Sequence, residues 1–206
     1  MPFAQGSVSR RHGQVSEGCL FSRSIESRTY GHANVPGIIA ASRWSWHVVM
    51  MIERYEPPSE FLKSVIAEQV PLADGPFAAA NLERLIELTR DPDRANRDWA
   101  VLLLSQEGRG TSAVRDALFL AASDPDDCVR GEAILGLAGL DPITALPFLQ
   151  AELRRESITI PALAAASICA DPSLIPDLKV WAEPSDQPYA DKLAAEALAA
   201  CERAVR

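Results

Sequence analysis

Apolar residues recur at helical spacing from Pro57 to the end of the chain. Between Pro57 and Gln69 they stand at positions i, i+1, i+4 and i+5, which forms a single stripe on a helix. The stretch after Pro76 repeats the pattern, and this proline can open a helix because the first turn needs no amide donor. Further helical stretches follow to the carboxyl end, separated by Asp-Pro turns. The pattern predicts an all-α domain.

The helical region contains an internal repeat. The segment DPDRANRDWAVLLLSQE at 91–107 aligns without a gap with DPDDCVRGEAILGLAGL at 124–140, 33 residues later. A weaker copy follows at 157–170, and a fourth copy is shifted further, near residue 186. A fixed period of this size indicates stacked supersecondary units. We therefore predict helix pairs stacked into an α-solenoid, with the second helix of each pair on a shallow concave face.

Prolines and small residues add detail to each unit. Asp-Pro at 141–142 and at 171–172 should begin first helices, and Pro147 and Pro176 should bend them. Small residues recur at one repeat position, which we interpret as a packing device that lets helices approach closely. These are Ala100, Ala133 and Ala166.

The string DPDxxVRxxAxxxL, with Asp six residues before Arg, resembles the HEAT repeat. DPSLIPDL, at 171–178, is similar to the first helix of the short bacterial HEAT-like repeat named after phycobilisome lyases. The patterns of ankyrin and tetratricopeptide repeats, which have similar periods, do not appear. The resemblance covers 81–206 and implies a right-handed all-α solenoid. It implies little about function, because HEAT-like arrays serve many unrelated roles.

The resemblance also implies a ladder of charged pairs along the stack. Carried over residue by residue, the pairs are Asp91 with Arg97, Asp124 with Arg130, and Asp186 with Lys192. Each exposed pair would stabilise the fold by only about 0.2–1 kcal/mol.

Charge is distributed unevenly along the chain. The net charge is −8, but residues 1–50 hold five arginines and two glutamates, so the remainder carries −11. So acidic a domain repels phosphate backbones, which argues against nucleic acid as its ligand and against the HEAT-like alkylpurine glycosylases. No run of eighteen apolar residues occurs, so we expect no membrane span. The four scattered cysteines predict reduced thiols in a cytoplasmic protein.

Residues 1–50 show no helical or strand periodicity and are rich in Ser, Gly and Arg. We interpret them as a disordered leader, dispensable for the folding of a domain at 51–206. Two alternatives remain open. The leader is a transit peptide, or the true start of the protein is Met50 or Met51.

Residues that commonly carry catalysis are scarce in the helical region. All three histidines (His12, His32 and His47) precede it, and no His-Glu dipeptide is present, which argues against deoxyhypusine hydroxylase, a HEAT-like di-iron enzyme. Phosphate-binding and nucleophile motifs are also missing. The carboxylates of Asp124, Asp126 and Asp127 are interpreted as loop caps rather than metal ligands. We expect no catalytic residue, cofactor or metal.

We therefore predict a non-enzymatic scaffold or adaptor that binds a protein partner through its concave face. The repeat alignment places five residues outside the core on second helices: Arg94, Asp98, Trp99, Asp127 and Glu132. Trp99 occupies the repeat position of Glu132, which favours a solvent-facing anchor; alternatively, Trp99 packs beneath the helix at 57–69. A lyase-like or cofactor-handling accessory role is the first rival, and nucleic-acid binding is the second.

Overall fold

The computed structural model describes residues 14–15, 56–107 and 110–205. Nine α-helices lie within these ranges. They are α1 (Glu60–Ile66), α2 (Ala78–Leu88), α3 (Arg94–Glu107), α4 (Ser112–Ala121), α5 (Asp127–Leu140), α6 (Pro142–Leu153), α7 (Ile160–Cys169), α8 (Ile175–Trp181) and α9 (Pro188–Arg203). A short 3-10 helix, Pro172–Leu174, precedes α8.

The helices stack as an all-α solenoid, so the predicted fold class is confirmed. The second helices α3, α5, α7 and α9 pack side by side in chain order, and we call them the inner helices. The first helices α4, α6 and α8 each pack against the inner helix that follows them, and α2 packs against α3. The short helix α1 also contacts α3, where the amide of Ser59 donates to Asn96 Oδ1 at 3.0 Å.

Aspartates in the inter-helix turns cap the helices that follow them. Asp126 Oδ1 accepts from the amides of Cys128 and Val129 at 3.0 and 3.3 Å, at the start of α5. Asp141 does the same for Thr144 at the start of α6. These bonds satisfy amides that have no partner inside the helix. The expected role of Asp126 as a loop cap is therefore confirmed.

The two internal prolines behave differently. Pro147 lies inside α6, as predicted. Pro176 lies in the first turn of α8 instead, because the chain after Asp171 first forms the 3-10 helix. The expected bend in a longer helix is thus replaced by a change of helix type.

Small residues allow the inner helices to lie close together. Ala100, Ala133 and Ala166 are all completely buried, in agreement with the packing role predicted for them. A Cβ at Gly136 of α5 would lie 2.8 Å from Ser105 Cβ of α3, closer than real Cβ atoms approach. Gly131 is equally constrained, because a Cβ there would overlap Thr159 Oγ1 just before α7. Close packing of α5 against α3 therefore requires Gly136, and close packing against the start of α7 requires Gly131.

The charged ladder runs between repeats, not within them. Arg97 donates from Nε to Asp124 Oδ2 at 2.8 Å and from Nη2 to Oδ1 at 3.2 Å. It reaches Asp91 of its own repeat only through the backbone carbonyl, at 3.1 Å. The predicted side-chain pair of Asp91 with Arg97 is therefore wrong. The Asp91 carboxylate instead accepts from the amide of Asp93 and shapes the turn.

Arg130 forms the next ion pair, and its partner is also not the one predicted. It donates from Nη1 to the carbonyl of Asp124 at 2.9 Å, while its Nε and Nη2 bind the two carboxylate oxygens of Glu152 at 3.1 and 2.9 Å. Both side chains are buried. Ser157 stands 33 residues after Asp124, so the third repeat lacks the ladder aspartate. Glu152, in the last turn of α6, supplies the carboxylate instead.

The third predicted pair, Asp186 with Lys192, is also absent among the described residues. Lys192 Nζ lies 3.8 Å from Glu196 Oε1, one turn along α9. Asp186 and Lys192 form no ion pair with each other in the described part of the chain. Both are exposed at the end of the stack, where α9 presents charged residues as a capping helix does.

Two short strands accompany the helices, which the sequence did not predict. β1 (Gln14–Val15) pairs in parallel with β2 (Ser157–Ile158), with Gln14 opposite Ser157. β2 leads directly into α7, whose first amides are capped by Thr159. The rest of the predicted leader lies outside the described residues, so its disorder and its dispensability stay predictions. The pair does show a contact between position 14–15 and the repeat domain.

The cysteines do not all match the predicted reduced state. Cys128 is disulfide-bonded, whereas Cys169 and Cys201 carry free thiols. Burial raises the pKa of Cys169 to about 12 and also raises the pKa of Cys201. The expectation of reduced thiols is therefore correct for these two and wrong for Cys128.

None of the nine helices combines the length and the apolar character that crossing a membrane would require.

We expect strong coupling between Arg130 and Glu152. Glu152→Ala should lower the free energy of unfolding by about 3–5 kcal/mol, because the buried Arg130 charge is left without its partner. Arg130→Ala should lower it less, because Glu152 keeps its ion pair with Arg155 at 2.8 Å. The double mutant should lose much less than the sum, since no lone charge remains. Urea unfolding of the four proteins measures this cycle.

The exposed pair of Arg154 with Asp177, 3.1 Å apart, is the matched control. Its cycle should give a coupling of only about 0–1 kcal/mol. Additive losses for Arg130→Ala and Glu152→Ala would show that the buried pair does not hold α5 against α6.

A thiol titration tests the disulfide. The denatured protein should show fewer free thiols before reduction than the four it shows after reduction, because Cys128 is disulfide-bonded. In the folded protein the two free thiols should react slowly, since little thiolate forms below their raised pKa values.

Four thiols before reduction of the natural chain would contradict the disulfide.

Candidate functional site

The predicted binding residues lie on two neighbouring inner helices. Arg94, Asp98 and Trp99 belong to α3, while Asp127 and Glu132 belong to α5. Because α3 and α5 pack side by side, the structure brings the two groups together. Their relation follows from two contacts between the helices.

Each helix presents one stripe to the other. Near the amino ends, Arg94 Nη2 lies 3.4 Å from Cys128 Sγ. A second contact lies further along both helices. Ser105, eleven residues after Arg94, packs against Gly136, eight residues after Cys128. Asp98 and Glu132 each lie four residues, about one helical turn, beyond the first contact. The spacing therefore places both carboxylates along the seam between α3 and α5. We call this seam the carboxylate groove, comprising Arg94, Asp98, Trp99, Cys128 and Glu132.

Both groove carboxylates are fully buried. Asp98 and Glu132 have 0% of their surface exposed. The inference that a repeat position accepting Glu faces solvent is therefore wrong. Burying a carboxylate is costly unless a cation or hydrogen-bond donors compensate for the lost hydration. Neither side chain is without interaction partners.

The mouth of the groove is more open. Arg94 is exposed, and its Nε lies 2.6 Å from Asp126 Oδ2. Asp127 is partly buried beside it in the first turn of α5. Trp99 is partly buried and packs against the hydrophobic core, so its ring has both a core-facing part and an accessible part. The five predicted residues therefore divide into an accessible rim and a buried floor.

The acidic cluster beside the groove fits capping better than metal binding. One ligand atom from each of Asp126, Asp127 and Cys128 lies within 4.8 Å of the others. However, Asp126 is already bonded to two amides and to Arg94. The disulfide also removes the thiolate that Cys128 would offer to a metal. These three residues hold the start of α5 and the edge of the groove.

Comparison with known proteins supports the repeat assignment. Residues 82–168 match the model of the HEAT repeats family. The chain is also similar to the protein YibA of Escherichia coli, in strains K12 and O157:H7, at 30% identity over 99 residues. That alignment covers 48% of this chain and 35% of YibA. The chain thus spans about a third of the curated relatives it matches. The X-ray structure of YibA from E. coli aligns with 66% of this chain and 54% of its own, at 26% identity and a TM-score of 0.48.

Proposed function

We propose that this chain, which matches the HEAT repeats family at residues 82–168, is a non-enzymatic scaffold or adaptor that binds a protein partner on its inner helices. HEAT repeats commonly mediate protein interactions. The observation that carries the proposal is the accessible rim of the carboxylate groove, where Arg94 is exposed and Trp99 is only partly buried next to the buried Asp98 of α3.

The chemistry of the groove defines the partner. The chain after residue 50 carries −11, which favours a guanidinium or ammonium group at the accessible rim. Arginine suits such a surface because it can bind carboxylates with two parallel hydrogen bonds. A cation that approaches over Trp99 gains further attraction from the face of the ring. Accordingly, the partner offers a basic segment with an exposed arginine or lysine.

Charge argues against the nucleic-acid rival. The chain after residue 50 carries −11, and the groove floor is acidic. Phosphates would therefore be repelled at the surface where HEAT-like DNA-binding proteins need basic residues. For the cofactor-handling rival, no contact of the described residues supplies a specific argument.

The disulfide bears on the cellular location. Stable disulfides form in oxidising compartments and are rare in the cytosol. The bond at Cys128 therefore favours an oxidising compartment over the cytoplasm that the scattered cysteines predicted. The thiol count described above tests the disulfide on which this argument about the compartment rests.

The proposal is tested with a photo-reactive phenylalanine analogue at position 99 in the full chain. We expect it to cross-link a partner through a basic peptide. The matched control places the same analogue at Phe119 of α4, which is 47% exposed and lies on an outer helix. Equal capture from both positions would contradict an inner binding face.

With the captured partner in hand, calorimetry measures the contribution of each side chain. Trp99→Ala should weaken binding by about 1–3 kcal/mol, as expected for an aromatic anchor. Arg94→Glu, at the exposed rim, changes binding without touching the core and separates an interface effect from misfolding. If Trp99→Ala unfolds the domain and Arg94→Glu leaves affinity unchanged, the groove is not the interface. Tight, salt-sensitive binding to duplex DNA would contradict the adaptor itself.

A further inference from the structure

Exposed apolar side chains concentrate on the first helices of the repeats. Of the eight large hydrophobic residues that are exposed in the described part of the chain, four lie on α4, α6 and α8. They are Phe119, Leu120, Ile143 and Val180. Ile143 is the most accessible of them, with 84% of its surface exposed. The inner helices therefore do not carry the main apolar surface of this protein.

The three helices form one continuous surface. Phe119 of α4 and Phe148 of α6 meet edge to face, with ring centroids 5.1 Å apart. On the other side of α6, Arg154 Nε donates to Asp177 Oδ2 of α8 at 3.1 Å. Helix α6 therefore lies between α4 and α8 and is in contact with both. We call the surface of α4, α6 and α8 the outer face.

An apolar ridge runs along the middle of the outer face. Ile143, Pro147 and Ala151 of α6 are spaced four residues apart, so they follow one line along the helix, and all three are exposed. The one charged residue of α6, Glu152, is buried. Contiguous apolar surface of this kind is typical of an interaction site.

Charge identifies the occupant of the outer face. The chain after residue 50 carries −11, so two copies repel each other over most of their surfaces. The outer face differs, because α6 exposes no charge and α4 exposes two neighbours of opposite sign, Arg115 and Asp116. When two copies of α4 meet antiparallel about a two-fold axis, Arg115 of each copy lies opposite Asp116 of the other. The face is therefore complementary to itself.

We propose that the outer face pairs two copies of this chain as a symmetric dimer. The apolar ridges of the two α6 helices pack against each other, and Arg115 and Asp116 pair across the axis. The inner helices stay accessible in such a dimer, so this inference does not rest on the proposed function.

The size of the face sets the expected strength. Helix α6 has 12 residues and is about 18 Å long, and three packed helices are about 25–30 Å wide. The face therefore covers roughly 500 Å² on each copy, or roughly 1,000 Å² in total, which is the lower limit for a specific interface. We expect a weak dimer that dissociates on dilution.

Sedimentation equilibrium of the full chain, from about 1 to 200 μM, measures the dimer. The mass should rise with concentration from 22.3 kDa towards twice that value. Ile143→Glu should weaken dimerisation at least about tenfold, because it places a charge in the apolar ridge. The matched control is Val205→Glu, which adds the same charge at a residue that is 64% exposed beyond α9 and should change nothing. Urea unfolding should be the same for both variants and the natural chain.

A charge exchange tests the symmetry. Arg115→Glu and Asp116→Lys should each weaken the dimer, because like charges then meet across the axis. The double variant should restore it, since the two positions again have opposite signs. A photo-reactive analogue at position 119 should join two copies of this chain, a product distinct from a partner captured at position 99.

Three outcomes would overturn the proposal. One is a mass of 22.3 kDa at every concentration. Another is a dimer that Ile143→Glu leaves intact, or that Val205→Glu weakens equally. The last is a monomer that binds phosphatidylcholine vesicles and loses this binding in Ile143→Glu, which would assign the outer face to a lipid surface.

Discussion

The ion pair of Arg130 with Glu152 is the contact on which the order of the repeats most depends. Arg130 sits in the first turns of α5, bonds the carbonyls of the turn before it, and closes on the last turn of α6. One side chain therefore joins a turn and two helices. Because both charges are buried, loss of Glu152 leaves the Arg130 charge without its ion-pair partner, a penalty of about 3–5 kcal/mol. Loss of Arg130 leaves Glu152 with Arg155, which donates to Oε2 at 2.8 Å. The pair of Arg97 with Asp124 is also mostly shielded from water, so it too stabilises the stack more than a fully exposed pair would.

The fold could be predicted because it depends on repeated, local features. The period of 33 residues, the Asp-Pro turns and the buried alanines each follow from spacing along the sequence. Ladder partners could not be read in the same way. Asp124 is six residues from Arg130, yet its carboxylate turns to Arg97 of the previous repeat and only its carbonyl serves Arg130. Which oxygen of a residue accepts a bond depends on the turn geometry, which a one-dimensional pattern does not contain.

For the proposed site residues, the sequence predicted the helices that carry them but not how buried they are. The alignment correctly placed the five residues on adjacent inner helices, since position in a repeat determines the helix face. It gave the wrong exposure for Glu132, which is fully buried. Aligned residues point in the same direction from their helices, but different neighbouring segments can cover them. The same holds for Trp99. The sequence predicted either a solvent-facing or a packed ring, whereas the ring is partly buried against the core. Strand β1 carried no signal, since a two-residue pair has no periodicity.

The two kinds of carboxylate in this chain have different consequences. Turn aspartates such as Asp126 and Asp141 are held by amides of their own helix, so their charges are largely satisfied locally. Asp98 and Glu132 lie in the middle turns of their helices, where the backbone amides are already bonded within the helix. Their compensation must therefore come from side chains or from another segment. A buried acid in mid-helix is costly unless other groups of the fold compensate for its lost hydration, and Asp98 and Glu132 both have interaction partners.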